Sequence, residues 1–429
     1  MLTSIAHGAA LCGWGLAYAV RGIRYTTFVQ KVCHHFARIN IFYVKFFQWF
    51  TATCSDGDEE LTPFFLDFLD RVPYTAADLD TAALAACVAE IAATGGHLHL
   101  DDGLTPLNSG SVALVFKGGL RTADGQTRAV VIKVLRKGIA AELERMRTHY
   151  RWLGCLLHYG WGLDIGPLLR DTAASYAAQT DLVQEGANIQ LFYDAFRGHR
   201  TILIPKVYAA SPNGLVMDYF LGVPPTQWRT EDYRACCSLF TTFLLTAYFV
   251  KELYHGDLHL GNLMFMRDGE GGWKMAVLDY GVVGRLTVPS QNFIYYTLDA
   301  VARNNYIDLV TAFVDYVLDE EPLRGARAEE EETPAKAEER GEDFRATVLA
   351  GALRTLEEHE CTNVYAFRHT HIRLLYQEVT RHGLTLSPNL NCYLFSILAM
   401  VDTLKELASK DVTSNLTRMW GGTPPHPPI

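Results

Sequence analysis

The sequence predicts an α+β protein of two lobes, a small sheet followed by a mostly helical half, with a helical extension in front. Three observations carry this. Short apolar runs rich in β-branched residues, Val112–Phe116, Ala129–Leu135, Ile202–Val207 and Leu215–Tyr219, follow the glycine pair Gly95-Gly96. A helical stretch, Leu143–Phe196, is inserted among them. From Tyr233 onward apolar residues recur at helical spacing, and Phe240–Glu252 reads as one long apolar helix.

Each element has a local reason. Asp124-Gly125 is a turn between the first two strands. Helical periodicity dominates from Ile23 to Ala93, with Phe64, Phe65, Phe68 and Leu69 on one face. Asp70-Arg71-Val72-Pro73 ends that helix, because proline restricts the residue before it. The run Asp319–Asp343 contains Glu329-Glu330-Glu331-Glu332 and few apolar residues, so it is expected to be a solvated, flexible insertion. The proline-rich end, Pro424 to Pro428, is expected to be disordered. The expected organisation is a basic aromatic segment over 1–34, a helical extension over 35–95, a sheet lobe over 96–222, a helical lobe over 223–410 and a tail over 411–429.

Bulk composition narrows the function. A chain of 429 residues with 49% hydrophobic content can bury ample core. A net charge of -10 argues against a nucleic-acid partner. The nine cysteines include no C-x-x-C pair and read as buried, reduced thiols. Charge is uneven: no Asp or Glu precedes Asp56, while Arg21, Arg24, Lys31, Arg38 and Lys45 do, among many aromatic residues. Such a segment suits an anionic membrane surface or organelle targeting, or packs on the protein itself. The apolar run Ala9–Val20 is shorter than a spanning helix requires.

The chemistry is concentrated in His255-Gly256-Asp257-Leu258-His259-Leu260-Gly261-Asn262, followed by Leu278-Asp279-Tyr280-Gly281. An Asp, an Asn five residues on and a second Asp in D-x-G context form a kinase-type set. Phosphoryl transfer needs a carboxylate that positions the acceptor, here Asp257, and oxygen ligands for Mg²⁺, here Asn262 and Asp279. Upstream, Lys133 lies inside the apolar strand Ala129–Leu135, where a lysine is expensive unless paired. In a protein-kinase-like fold it holds the ATP phosphates and pairs with a helix glutamate, for which Glu185 is the candidate.

The turn Asn108-Ser109-Gly110-Ser111 is placed either to cover phosphates with backbone N–H groups or simply to enter a hairpin. His255 and His259 could be read as metal ligands, but the flanking glycines favour a loop with local hydrogen bonds. Gly256 stands where common protein kinases carry the Arg that pairs with a phosphorylated activation loop. Only Val282–Pro289 separates Asp279-Tyr280-Gly281 from the next helix, expected near Gln291, which leaves little room for a peptide platform.

With these motifs the chain resembles the UbiB/ADCK (aarF-domain, ABC1-type) atypical kinases over residues 35 to 405. The loop H-G-D-x-H-x-G-N matches His255–Asn262, and the D-F-G variant with its trailing Arg-Leu resembles Asp279–Leu286. The V-A-V-K-V strand resembles Val131–Gly138, E-A-x-N resembles Glu185–Asn188, and L-x-D-x-V-P resembles Leu69–Pro73. The family's K-x-G-Q element is altered to Lys45-Phe46-Phe47-Gln48, its Ala-rich loop to Pro106–Val115, and its E-x-D to Gln179-Thr180-Asp181.

The resemblance implies a membrane-associated protein that binds Mg²⁺ and ATP and supports coenzyme Q (ubiquinone biosynthesis) or other isoprenoid-lipid metabolism. It implies a mitochondrial or plastid location, and lipid or quinone-type molecules and lipid-biosynthesis proteins as partners. It adds Lys45 and Gln48 to the nucleotide-site residues, with the adenine against Met217-Asp218-Tyr219. Two rivals remain: a small-molecule phosphotransferase of the aminoglycoside or choline kinase type, which shares the H-G-D-x-x-x-x-N loop but usually not the Asp279-Tyr280-Gly281 motif, and a non-catalytic pseudokinase scaffold, suggested by the altered Lys45–Gln48 and Gln179.

Overall fold

The computed structural model describes residues 74–161, 176–224, 227–320, 334–364 and 369–384 continuously, with scattered residues over 22–42, 170–174 and 367–407. The segment before residue 22, the Lys45–Gln48 and Leu69–Pro73 elements and the tail 411–429 lie outside the described residues. The chain divides into two compact units. One comprises Met1–Gln190 and Pro205–Phe220, the other Leu191–Ile204 and Leu221–Ile429.

The first unit is built on helix α1 (Thr81–Ala93) and strands β1 (His97–Leu100), β2 (Asn108–Ser109), β3 (Ala113–Arg121) and β4 (Thr127–Leu135). Asp80 caps α1 by accepting the Ala83 N–H at 3.0 Å. Helix α1 then buries Leu84, Cys87 and Ile91, spaced along one face, against Leu114, Phe116, Val130, Ile132 and Val216 of the sheet. Helices α2 (Ile139–Trp161) and α3 (Leu182–Ala195) follow β4.

Strand β5 (Ile202–Leu203) belongs to the second unit, whereas β6 (Val207–Ser211) and β7 (Gly214–Asp218) return to the first and complete an antiparallel sheet in the order β1-β3-β4-β7-β6. Strand β2 joins the edge of this sheet by pairing with β3. The register sets Lys133 between Val115 and Leu215 in the middle of the sheet.

The second unit runs from helix α4 (Thr230–Leu245), continued by a π-helical turn at Thr246–Val250, into β8 (Leu253–His255), β9 (Leu263–Arg267), β10 (Trp273–Val277) and β11 (Val283–Arg285). It ends in helices α5 (Val288–Arg303), α6 (Tyr306–Glu320), α7 (Pro334–Glu358) and α8 (His369–Arg381), with further helical residues beyond. By length and composition Thr230–Val250 could cross a membrane. One face of it, however, is core: Cys236, Cys237, Phe240, Phe243, Ala247 and Tyr248 are buried. The carboxylate of Asp232, also buried, accepts from the Arg229 N–H (2.8 Å), Arg267 (2.8 Å) and the Trp273 indole (3.1 Å), tying the start of α4 to the β9–β10 hairpin.

Several expectations are corrected. Ile202–Val207 is two strands in two sheets, because Pro205 offers no N–H to continue a ladder. Ile202 and Leu203 pair in parallel with Met275 and Ala276 of β10, while Val207 onward pairs with β7. The acidic run is not irregular throughout: residues 334–343 are the first turns of α7, entered at Pro334, a residue suited to a helix start. The helix expected from Gln291 begins at Val288 with Pro289 in its first turn and Thr287 capping the Ser290 N–H. The helix expected to reach Glu252 stops at Val250, and Glu252 turns the chain through a left-handed conformation (φ 56°). Strands β1, β8, β9, β10 and β11 had no counterpart in the expected elements, and β2 lies in what was expected as a turn.

Gly118 and Gly119 are where β1 closes on the sheet. A Cβ at Gly118 would lie 2.2 Å from the His99 carbonyl oxygen, a backbone atom that cannot step aside. Gly118→Ala is therefore expected to lower stability by about 1–3 kcal/mol, the usual cost of overpacking. An unchanged urea midpoint would show that β1 is not held on β3 in this register.

Candidate functional site

The chemistry-bearing residues form two clusters, one in each unit. In the first, the Lys133 ammonium contacts both Glu185 carboxylate oxygens at 2.7 and 2.8 Å. The glutamate is 2% exposed and the lysine side chain 13%, so each charge depends on the other for the solvation it has lost. Glycine makes the approach possible. A Cβ at Gly186 would lie 2.8 Å from that of Ala210, so helix α3 can lie this close to β6 only without a side chain there.

The Asn108–Ser111 segment is a hairpin. Asn108 and Ser109 pair with Val115 and Leu114, and the Gly110 N–H donates to the Ala113 carbonyl at 2.9 Å. Its shape is held by a residue the sequence reading passed over. The Arg136 guanidinium, 5% exposed, donates to the Gly110 carbonyl (3.0 Å) and the Ser109 hydroxyl (2.8 Å) and lies 3.4 Å from the Asp78 carboxylate. Burial lowers its pKa, with Asp78 opposing. The signal in the sequence was an arginine directly after the buried strand end Leu135.

Met217, Asp218 and Tyr219 are at the end of β7. Met217 is buried. The Asp218 carboxylate accepts the Tyr208 hydroxyl (2.7 Å) and the Lys206 N–H (3.0 Å). The Asp218 and Tyr219 N–H groups already donate to the Lys206 and Ala129 carbonyls, so they brace the strand and are not available to meet a base. The hydrogen bond to Asp218, after the larger effect of burial, pushes the Tyr208 phenol well above its ordinary value.

In the second unit, strand pairing assembles the cluster. Val277 pairs with Leu263, and one step on the Leu278 N–H donates to the Asn262 carbonyl at 2.8 Å, which sets Asn262 beside Asp279. The Asn262 side chain donates to the Asp257 carbonyl at 2.8 Å and approaches the Asp257 carboxylate at 3.4 Å, leaving Oδ1 as its acceptor. Asp279 sits at φ 51°, a left-handed conformation costly outside glycine and concentrated at functional sites, and its Oδ1 accepts the Gly281 N–H at 3.1 Å. The Asp257 side chain remains 43% exposed and is accessible to an acceptor.

The histidines are structural elements of the loop. The His255 Nδ1 accepts the Asp257 N–H at 3.3 Å, and the His259 Nδ1 accepts the Gly261 N–H at 3.1 Å. Among the described residues no three His, Cys, Asp or Glu side chains come together to hold a metal. His255 is fully buried, edge-on to Tyr280 and Phe192. Burial holds its pKa below the ordinary value, against the opposing pull of Asp257 and Asp279. Gly256 has a packing reason: a Cβ there would lie 2.5 Å from the Val282 side chain, while its N–H donates to the Val282 carbonyl at 2.7 Å.

A six-stranded antiparallel sheet with a Lys–Glu pair to a helix, and a helical unit carrying an Asp/Asn loop and a D-x-G strand end, define a kinase-like fold. Residues 99–312 match the sequence model of the ABC1 atypical kinase-like domain. The chain carries a domain of this family and is distantly homologous to UbiB probable protein kinases. One, from Pseudomonas paraeruginosa, is 25% identical over 224 residues, covering 49% of this chain and 41% of its own. Another, from Cellvibrio japonicus, is 27% identical over 268 residues, covering 60% and 45%. The chain thus spans less than half the length of these relatives.

Among solved structures, that of Rv3197 with erythromycin from Mycobacterium tuberculosis is similar at 19% identity and TM-score 0.41, covering 73% of this chain and 77% of that one. The Rio2 kinase–ADP/Mg²⁺–phosphoaspartate complex from Chaetomium thermophilum is similar at 13% identity and TM-score 0.31, covering 82% and 86%.

Two predictions follow from the clusters. Lys133→Met leaves the Glu185 carboxylate buried without its lysine and is expected to cost about 3–5 kcal/mol. Lys133→Met combined with Glu185→Leu should recover most of that in urea titration, and a double variant no more stable than the single would refute the pairing. Because the folded pKa of His255 is depressed from 6.5, the unfolded chain takes up the proton first. Its contribution is present above pH 6.5 and is lost as pH falls below it. The loss of stability between pH 7.5 and 5.5, the flanks of about 6.5, should be shallower in His255→Gln, by at most about 1.4 kcal/mol per pH unit.

Proposed function

We propose that this protein binds Mg²⁺-ATP and uses it for phosphoryl transfer, or for ATP hydrolysis coupled to the handling of a lipid or quinone-type molecule at a membrane. The observation that carries the reading is the buried, doubly contacted Lys133–Glu185 pair, the arrangement by which kinase-like lobes hold ATP phosphates. The Arg136-braced hairpin at Asn108–Ser111 would cover the phosphates. Asn262 Oδ1 and the Asp279 carboxylate, on neighbouring backbone segments, are hard-oxygen donors of the kind Mg²⁺ accepts, and phosphate oxygens and water would complete its shell. Bound there, Mg²⁺ would neutralise charge on the transferring phosphates. Asp257 would orient the acceptor hydroxyl or water.

The acceptor is proposed to be small rather than a peptide. The segment after Gly281 is taken up by β11, which pairs with β8, and α5 begins at Val288, so little chain is left to form a peptide platform. A coenzyme Q or isoprenoid-lipid role and a mitochondrial or plastid membrane location are supported by the family resemblance and by the acid-free, aromatic start of the sequence.

The test is thermal unfolding with Mg²⁺-ATP, with Mg²⁺-ADP and without nucleotide, beside Asp279→Asn. Ligand at 100 times its Kd should stabilise the wild type by about 2.7 kcal/mol. The Mg²⁺-dependent part of the shift is expected to disappear in the variant. No shift at millimolar nucleotide would sink the catalytic reading in favour of a scaffold.

A further inference from the structure

The carbonyl groups of the Asp257 loop are held from behind by hydroxyls that lie outside residues 99–312, the part of the chain the family domain accounts for. The Ser396 hydroxyl donates to the His255 carbonyl at 2.8 Å, and the Thr403 hydroxyl donates to the Leu258 carbonyl at 2.9 Å. Both hydroxyl-bearing residues are helical and buried, at 0% and 3% exposure, and seven residues apart, the spacing of two helical turns. The two carbonyls they hold flank Asp257, one on each side.

A third hydroxyl joins them. The Tyr248 phenol, buried on the π-helical turn, is 3.0 Å from the His255 carbonyl and 2.6 Å from the Ser396 oxygen. Each hydroxyl has one proton, so two protons serve these three contacts, and the Tyr248 and Ser396 hydroxyls can back each other up at His255. Thr403 is the sole side-chain hydroxyl recorded at Leu258 among the described residues. The Gln291 amide in turn donates to the Tyr248 carbonyl at 3.0 Å, fixing the turn that carries the phenol. Isolated hydroxyls in a helix core are normally turned back on their own helix. Here they reach across 141 and 145 residues to one loop.

We propose that Ser396 and Thr403 are positioning residues: they fix the backbone on both sides of Asp257 and so set where its carboxylate meets the acceptor. These two helical residues are then part of the phosphoryl-transfer apparatus. This rests on the function proposed above, and the test separates the two.

The variants are Ser396→Ala, Thr403→Val and their combination, in the full chain. Thr403→Ser and Ser396→Thr keep the hydroxyl, and Ile397→Val, a buried apolar change at the neighbouring helical residue that removes no hydroxyl, is the control. ATP turnover is measured well below the unfolding temperature, and hydrogen exchange is followed in a peptide spanning Leu253–Leu263.

The double variant should lose kcat by about 10- to 100-fold, the effect of a misplacement near 1 Å, with KM for ATP within about two-fold. Loop exchange should rise, and the hydroxyl-keeping variants should restore both readouts. Ile397→Val should lower the unfolding temperature without changing kcat or loop exchange. The proposal is overturned if the double variant keeps kcat and loop protection, or if Ile397→Val reproduces its losses. If the wild type shows no turnover, the proposed function fails, and unchanged loop exchange in the double variant would overturn the positioning role as well.

Discussion

A lysine ammonium in the middle of an apolar sheet is tolerable only because a glutamate reaches it, and much of the first unit is arranged around that demand. The sheet register puts Lys133 between Val115 and Leu215. The missing side chain at Gly186 lets helix α3 approach the sheet closely enough for Glu185 to meet both ammonium contacts. Replacing such a pair by apolar residues is often neutral for stability, so stability alone does not account for it. A pair that is expensive to bury and simple to replace is best explained by what the ammonium does when an anion is present.

The second unit solves a different problem, placing oxygen atoms rather than a charge. Two strand ends do most of this, since the β9–β10 ladder sets Asn262 beside Asp279. The β8–β11 pairing then returns the chain after Gly281 to the loop at His255. The side chains near these atoms are largely occupied by the backbone: His255, His259, Asn262 and Asp279 each bond a main-chain group of the loop or of its neighbour. The geometry is therefore set by main-chain structure, which side-chain motion does not easily disturb.

What could be read from the sequence was the part where residue type and spacing are themselves the chemistry. Asp257, Asn262, Asp279 and Lys133 stand out because no core or solvent role explains an Asp-x4-Asn beside an Asp-x-Gly, or a lysine in an apolar strand. The central strands β3, β4 and β7 and the run holding β5 were legible as β-branched runs, whereas the short β8 to β11, set among helical sequence, were not; Pro205 was the overlooked mark that splits one run between two sheets. The first turns of α7 were missed because a charged, apolar-poor stretch reads as coil, although its later turns carry the buried face. Arg136 was marked only by its place directly after a buried strand end, and the hydroxyls at Ser396 and Thr403 were not legible. Their partners are backbone carbonyls or residues far along the chain, and no local pattern marks a hydroxyl that will meet a carbonyl more than a hundred residues away.

The close fit at Gly256 has an evolutionary consequence. Kinases gated by a phosphorylated loop use a cationic side chain beside the positioning carboxylate, and here that position is filled by the Val282 side chain. A lone Gly256→Arg change would have to push aside Val282, three residues after Asp279, so it would disturb the Asp279-Tyr280-Gly281 segment before it could offer control. Acquiring such a gate needs at least two coordinated substitutions, the first harmful without the second. A lineage with this packing is thereby steered towards control by what binds to it, not by phosphorylation of its own loop.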